Sequence, residues 1–371
     1  MSSWRPLRVT IVALTLCGAV AMGSPAPAHA QVTPAAGSTP ADDTPSVKVG
    51  GVIFADYTYQ SSPEAGTDPN KYNPNSFNVT RAYINVTGNI SHLISFRVTP
   101  DIKQETKATG TDLAGNYVFR LKYAYGQLSL DDWLPKGSWV KLGAQQTPYV
   151  EYADTIYRYR FQGKGMPDRE KFLSSADAGL TARFAFPKSY GDVHVGYYNG
   201  EGYETPELNG QKATEIRVSV RPAPMTRIVK GLRVAGFLLS DKPVQGGKRE
   251  RAVGLLTFEH DRVNVGFEYL DATDQATSTA TEYDSKGWSA WATPKFGKGF
   301  EALLRYDDVK LPANGPDARN KRTIVGIAYW LPVQKGVTTA VMLDYDGVEY
   351  DQYATPKPDD KKYILHAQFT F

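Results

Sequence analysis

A transmembrane antiparallel β-barrel of about sixteen strands is the fold class this sequence predicts, and three observations predict it. Apolar and polar residues alternate with a period of two from Val47 to the end of the chain. The connections between these segments alternate strictly between long and short. No long apolar run follows residue 30, so the membrane-crossing option that remains is one whose strands are only half apolar.

Composition narrows the classes further. Of 371 residues, 41% are hydrophobic and 22% charged, and 42 Lys+Arg nearly balance 39 Asp+Glu. That balance excludes an acidic disordered chain and a strongly basic nucleic-acid binder. Tyr at 23 and Trp at 6 against Met at 5 favour strands over helices.

The first thirty residues read as a signal peptide. Arg5 and Arg8 form a basic start, Val9 to Ala21 an apolar stretch too short to span, and Ala28-His29-Ala30 a small-residue cleavage site. Cleavage leaves Gln31 as the mature N-terminus. The single cysteine, Cys17, lies in the removed segment, so the exported chain is expected to hold neither a disulfide nor a thiolate metal site. Residues 31–46, rich in Pro, Thr and Ala, read as a disordered periplasmic leader. Residues 47–371 read as one barrel domain.

Within that domain each strand presents two unlike faces. Val49, Ile53, Ala55, Tyr57 and Tyr59 alternate with Lys48, Val52, Phe54, Asp56 and Thr58. Val265, Phe267 and Tyr269 alternate with Asn264, Gly266 and Glu268, and Phe300, Ala302, Leu304 and Tyr306 with Glu301, Leu303, Arg305 and Asp307. The last strand sets Tyr363, Leu365, Ala367, Phe369 and Phe371 against Lys362, Ile364, His366, Gln368 and Thr370. A face that is aliphatic in its middle and aromatic at its ends suits lipid with interfacial girdles. Tyr57, Tyr269, Tyr306, Phe369 and Phe371 are the girdle candidates. The other face, with charges in mid-strand, suits water.

The connections support the count. Short ones fall at 88–91, 131–137, 187–191, 221–230, 259–262, 296–299 and 332–336. Long ones fall at 60–76, 104–115, 149–176, 200–212, 241–250, 271–285, 311–321 and 349–360. Eight long and seven short connections join sixteen strands and place both chain ends on the short-turn, periplasmic side.

The stretch Val140-Lys-Leu-Gly-Ala-Gln-Gln-Thr-Pro-Tyr-Val-Glu151, with its Gly143-x-x-x-x-Pro148 spacing followed by Glu151, resembles the segment that leads into the long loop in the bacterial porin O and P family, the phosphate-selective porins. Gly196-Tyr-Tyr-Asn-Gly200, Gly266-Phe-Glu-Tyr269, Leu304-Arg-Tyr-Asp307 and the terminal Phe371 resemble recurring strand motifs of the same family. The resemblance spans residue 47 to the end. It implies a passive channel, usually trimeric, in which the loop after this segment folds into the barrel lumen. It also implies outer-membrane lipid and lipopolysaccharide as surroundings, and recognition of Phe371 by the barrel assembly machinery. Phosphate specificity does not follow from it, because the loop carries both signs of charge.

Parity then assigns the lumenal charges. The second to sixth strands carry Arg81, Arg97, Arg120, Lys122, Lys141 and Arg183 against Asp101. The eleventh to fifteenth carry Glu268, Glu301, Asp307, Asp344 and Asp346 against Arg305. A basic wall opposite an acidic one sets up a transverse field across water. The loop at 149–176 adds Arg158, Arg160, Lys164, Arg169 and Lys171 against Glu151, Asp154, Asp168 and Glu170, with Tyr149, Tyr152, Tyr157 and Tyr159 as throat candidates. These residues are expected to contact small hydrophilic solutes with a weak preference for anions. The alternative for any one of them is an ion pair that holds the loop to the wall.

Nothing else in the chain carries chemistry of comparable strength. His92, His194, His260 and His366 are scattered, with no metal-binding spacing, so neither metal nor cofactor is expected. No Gly-x-Ser-x-Gly elbow is present, and Gly163-Lys-Gly165 lacks the rest of a phosphate loop. The expected function is therefore a non-enzymatic diffusion channel. A phosphate or polyphosphate channel of the same fold stands as alternative, and a barrel enzyme or adhesin as second alternative. Mass measurement of the exported protein should give a chain beginning at Gln31; a mass retaining residues 1–30 would contradict the cleavage reading.

Overall fold

The computed structural model describes residues 43–105, 115–207, 209–332 and 337–371. The period-two pattern is realised as sixteen strands. The first four are β1 (Ser46–Ser62), β2 (Asn75–Asn89), β3 (Ile94–Gln104) and β4 (Tyr117–Ser129). A shorter group follows: β5 (Trp139–Gln146), β6 (Ala176–Ala185), β7 (Gly191–Tyr198) and β8 (Ala213–Val220). Then come β9 (Leu232–Asp241), β10 (Lys248–Glu259), β11 (Val263–Gln275) and β12 (Tyr283–Gly297). The wall is completed by β13 (Phe300–Lys310), β14 (Arg319–Trp330), β15 (Thr338–Asp351) and β16 (Asp360–Thr370).

Each strand pairs antiparallel with its sequence neighbours, and β16 pairs back onto β1, so the sheet closes and no edge is left unpaired. The closing register sets Ile53 opposite Phe369 and Tyr57 opposite Leu365. Phe371 seals the seam by exchanging backbone hydrogen bonds with Gly51 at 2.8 and 3.0 Å. Its ring lies over Gly51, where a Cβ would sit 2.5 Å from a ring carbon, so any side chain there would push the ring away from the strand. Ser46 pairs with Asn89, which puts the start of β1 beside the short β2–β3 turn, at the same end as Phe371.

The expected signal peptide and residues 31–42 of the expected leader lie outside the described residues, as do most of the connections expected at 104–115 and 332–336. β1 begins one residue earlier than expected, at Ser46. Asp43, just ahead of it, meets Nδ1 of His92 at 2.7 Å on the β2–β3 turn.

Strand β10 shows the facing rule cleanly. Arg251, Val253, Leu255 and Thr257 are buried, whereas Ala252, Gly254 and Leu256 between them are exposed. Around the barrel the exposed row is aliphatic, with Leu142, Leu180, Leu238, Val325, Leu343 and Leu365 in mid-strand. Ring pairs flank it: Tyr57–Phe77 at 4.7 Å, Trp288–Tyr306 at 5.4 Å and Phe300–Tyr329 at 4.8 Å. Tyr269, Phe369 and Phe371 stand on this outer face too. A continuous apolar outer surface of this kind is stable against hydrocarbon and not against water.

One of the register slips in the sheet re-aims a side chain inward. Between β3 and β4, Thr99 faces Tyr123 but Pro100 faces Leu121, so Lys122 is an extra residue. Pro100 lacks the N–H a regular ladder needs, and a bulge accommodates it. Strict alternation from Arg120 and Lys122 would send Tyr123 outward; after the slip Lys122 and Tyr123 are both buried on the lumenal side. A second slip, between Phe54 and Ala55, follows the pairing of Phe54 with Arg81.

Replacing Leu256 by Arg should destabilise the barrel by about 2–4 kcal/mol, as expected for a cation on a hydrocarbon-facing mid-strand position. A urea titration of protein refolded in lipid vesicles measures it, and an unchanged midpoint would mean that this face does not meet lipid.

Candidate functional site in the barrel lumen

A barrel of sixteen strands is too wide for its own side chains to fill. The filling comes from the connection between β5 and β6, which turns into the lumen and forms two short helices. Helix α1 (Val150–Tyr157) carries Glu151 in its first turn, where a carboxylate complements the helix dipole. It ends at Arg158, whose φ of 70° is left-handed and whose N–H returns to the Asp154 carbonyl. Such a conformation costs about 1–2 kcal/mol in a non-glycine residue and is held by tertiary contacts. Helix α2 (Met166–Arg169) follows Gly165 and starts with a proline in its first turn, where the missing N–H is not needed.

The loop docks on the wall made by β11 to β16. Ile156, Tyr157, Tyr159, Phe161 and Met166 form one apolar core with Leu270, Trp291, Leu303, Ile324, Trp330 and Met342 of the barrel. Tyr157 meets Trp291 edge-on at 5.4 Å, and Tyr159 meets Trp330 at 5.7 Å. Polar contacts pin the same face. The Tyr149 hydroxyl donates to Glu268, and Tyr159 donates to Glu301 at 2.9 Å. Arg158 pairs with Glu301 at 3.4 Å, and Gln162 donates to Asp346 at 3.3 Å. Wall arginines also hold loop carbonyls: Arg217 reaches Pro148 at 2.8 Å, Arg251 reaches Phe172 at 3.1 Å and Arg305 reaches Lys164 at 3.1 Å.

This docking corrects the expected two-walled field. Glu268, Glu301, Asp307 and Asp344 are all buried. The first two hold the loop, Asp307 takes both Arg305 and Ser289, and Asp344 lies 3.4 Å from His366. The acidic wall is a docking surface beneath the loop and not a free face across water. Tyr149, Tyr157 and Tyr159 likewise point into the packed core instead of a throat, and Tyr152 lies half-buried against Arg217 at 4.0 Å. Arg158 goes with them, buried against Trp330 at 4.9 Å.

The basic wall keeps a different character. Arg97 is fully buried, donating to Thr99 at 2.9 Å and Asn85 at 3.1 Å, so it is structural. Arg81 pairs with Asp101, and Arg120 donates to the same carboxylate at 2.8 Å. Lys122 has no carboxylate within ion-pair distance among the described residues. Its ammonium sits 4.8 Å from the Tyr83 ring, 5.1 Å from Tyr123 and 5.7 Å from Tyr203. Lys141 is similar, at 4.1 Å from Trp139 and 4.5 Å from Tyr125. Aromatic faces attract a cation without cancelling its charge. Arg183 is the most open of the set and pairs with Asp192 towards the short-turn end.

On the open side of the loop, Arg160 lies 3.1 Å from Asp154, and Lys164 lies 2.6 Å from Asp168. Arg169 donates to Gln162 at 3.2 Å. Burial pushes the Asp154 carboxyl up to about 6; Arg160 opposes the shift and Asp168 adds to it. Sequence reasoning missed Tyr83, Tyr123, Tyr203, Arg217 and Arg251. Parity along β8 and β10 exposes the two arginines, and Pro100 is the signal for the bulge that turns Tyr123 inward. Among the described residues no three His, Asp or Glu side chains converge to hold a metal ion.

No protein-family model matches the chain, and no curated protein matches it in sequence. Solved structures do. An anion-selective porin from Comamonas acidovorans superposes with a TM-score of 0.61 at 12% identity, over 88% of this chain and 100% of that one. The outer-membrane channel DcaP of Acinetobacter baumannii superposes with a TM-score of 0.56 at 12% identity, over 88% and 97%. OmpT of Vibrio cholerae, in its trimer form, gives 0.58 at 13% identity, over 89% and 100%. The chain has the fold of outer-membrane porins. The narrower likeness to the porin O and P family has no matching family model.

Glu301→Ala leaves Arg158 buried without its partner and should destabilise the docked loop by about 3–5 kcal/mol. Limited trypsin digestion of the folded barrel should then cut after Arg158 or Arg160 far faster than in the parent protein. Equal resistance would show that the ion pair does not hold the loop.

Proposed function

We propose that the chain is a passive diffusion channel of the bacterial outer membrane for small hydrophilic solutes, with a modest preference for anions. The observation that carries this reading is the asymmetry of the lumen. The acids of one wall are covered by the inserted loop, whereas Arg120 of the opposite wall and Arg160 and Lys164 of the loop itself keep contact with solvent. Side-chain exposure is 19% for Arg120, 14% for Arg160 and 34% for Lys164, against 8% for Glu301 and 0% for Asp344. Lys122 and Lys141, held by rings and without a carboxylate in direct ion-pair contact among the described residues, add positive potential that Glu151 offsets only from a distance. In a low-dielectric throat such fixed charge raises the local concentration of anions.

Passage needs no chemistry from the wall. Solute width is set by the docked loop, and the sign of preference by the charges left facing water. The aliphatic outer row and its flanking rings suit membrane lipid and lipopolysaccharide, and the exposed terminal Phe371 suits recognition by the barrel assembly machinery. A homotrimer is the assembly this reading favours, by analogy with the trimer form of Vibrio cholerae OmpT. The phosphate-specific version of the same function would use the two ring-held lysines as its anion contacts.

The test is single-channel recording in a planar bilayer, with reversal potentials in a potassium chloride gradient. Anion preference is expected, and Arg120→Ala combined with Lys122→Ala should lower the chloride-to-potassium permeability ratio at least about twofold. Lowering the pH from 7.5 to 5 carries Asp154 through its raised pKa, removes one negative charge beside Arg160, and should strengthen the preference. A cation preference at both pH values would overturn the reading. Block of the current by phosphate at low concentration would favour the phosphate-specific channel, and folded protein without current would favour an enzyme or adhesin.

A further inference from the structure

The connection between β7 and β8 does not remain at the rim. The Tyr203 amide donates to the Ala176 carbonyl at 3.1 Å, and Tyr203 and Glu204 then reach across to the basic wall. The Tyr203 hydroxyl lies 3.3 Å from both Arg81 and Asp101, and its ring centre lies 5.3 Å from the Arg120 guanidinium. Glu204 lies 3.1 Å from Arg120 Nη1. Partial burial pushes the Glu204 carboxyl up, but Arg120, Lys103 and Arg81 outweigh it and hold it below the usual range.

Two properties separate this ion pair from the other lumenal ones. Its acid belongs to a loop and is 43% exposed; the carboxylate paired to Arg251 is as open, at 42%, but is fixed on strand β11, and those paired to Arg81, Arg217 and Arg305 are 0%, 4% and 5% exposed. Ion pairs as open as this one contribute little, so Glu204 leaves its partner at small cost. Arg120 itself stays in place. Nη2 is held by Asp101 at 2.8 Å, and the buried Nε has no acceptor among the described residues. The guanidinium is therefore both preorganised and short of acceptors.

The geometry points to a carboxylate-capture site at the long-loop mouth of the barrel, formed by Arg120 and Lys103 beside the Tyr203 ring, in which Glu204 is a tethered occupant. A solute carboxylate displaces it by taking over the same N–H donor, one carboxylate replacing another with no change in the charge of the site. This rests on the channel reading and deepens it, naming small organic monocarboxylates as a favoured solute class.

The test uses the mature protein in planar bilayers, with acetate as probe and nitrate as a control of equal charge, each titrated against the chloride current. Glu204→Gln removes the occupant and should lower the acetate concentration that half-blocks the current about two- to fivefold, with nitrate shifting less. Arg120→Gln should abolish acetate block. Lys103→Gln, which leaves the Arg120–Asp101 contact intact, should weaken acetate block at least about twofold and covers the case in which the arginine variant fails to fold. Equal shifts of acetate and nitrate in Glu204→Gln would show that Glu204 is only a fixed charge, and would overturn the proposal. Indifference to acetate in parent and variants, with currents intact, would overturn it as well while leaving the channel reading standing. Absence of current in the parent protein would remove both.

Discussion

Docking of the inserted loop on the wall from β11 to β16 is the contact on which the rest of the lumen depends. A closed sheet satisfies its own backbone, but sixteen strands enclose more space than inward side chains can occupy. The loop between β5 and β6 supplies the missing volume. It brings Tyr157, Tyr159, Phe161 and Met166 to inward apolar positions of the wall, and an apolar core forms where a uniform water-lined surface would otherwise stand. Burying that surface would strand the wall's acids, because an unpaired buried charge is costly. Each loop anchor answers one of them, as Tyr149 does Glu268 and Arg158 and Tyr159 do Glu301.

This arrangement determines which charges remain available. Arginines and carboxylates that pair across the loop interface cancel locally and stabilise position. Lys122 and Lys141 are treated differently, each lying against two or more aromatic rings. A ring face stabilises an ammonium through its quadrupole and leaves the net charge in place. The lumen thus separates charges paired across the loop interface from charges that rest on aromatic rings without a carboxylate in contact, and the separation follows the loop's footprint. The β7–β8 connection extends the same logic to the mouth, where Glu204 meets Arg120 in a pair open enough to exchange.

The outer face follows from a simpler rule. With every backbone group paired, the strands need only present hydrocarbon-compatible side chains outward, and alternate residues do so from β1 to β16. That is why burial alternates residue by residue from Glu250 to Thr257 along β10. Where the rule fails, a local cause is visible. Pro100 cannot donate to its neighbour, the ladder slips by one residue, and Lys122 and Tyr123 share the inside.

The strand number, the alternation of long and short connections, the outward row and most of the inward charges, though not Arg217 and Arg251, were legible in the sequence. They depend on period-two patterning and turn chemistry, which are local. The tertiary structure alone decided which inward charges meet solvent and which are spent on anchoring. Glu301 and Arg120 carry the same kind of sequence signal, a charge on an inward strand position. Their roles diverge because a segment remote in sequence lies over one and not over the other, and strand parity holds no information about where a distant loop will dock.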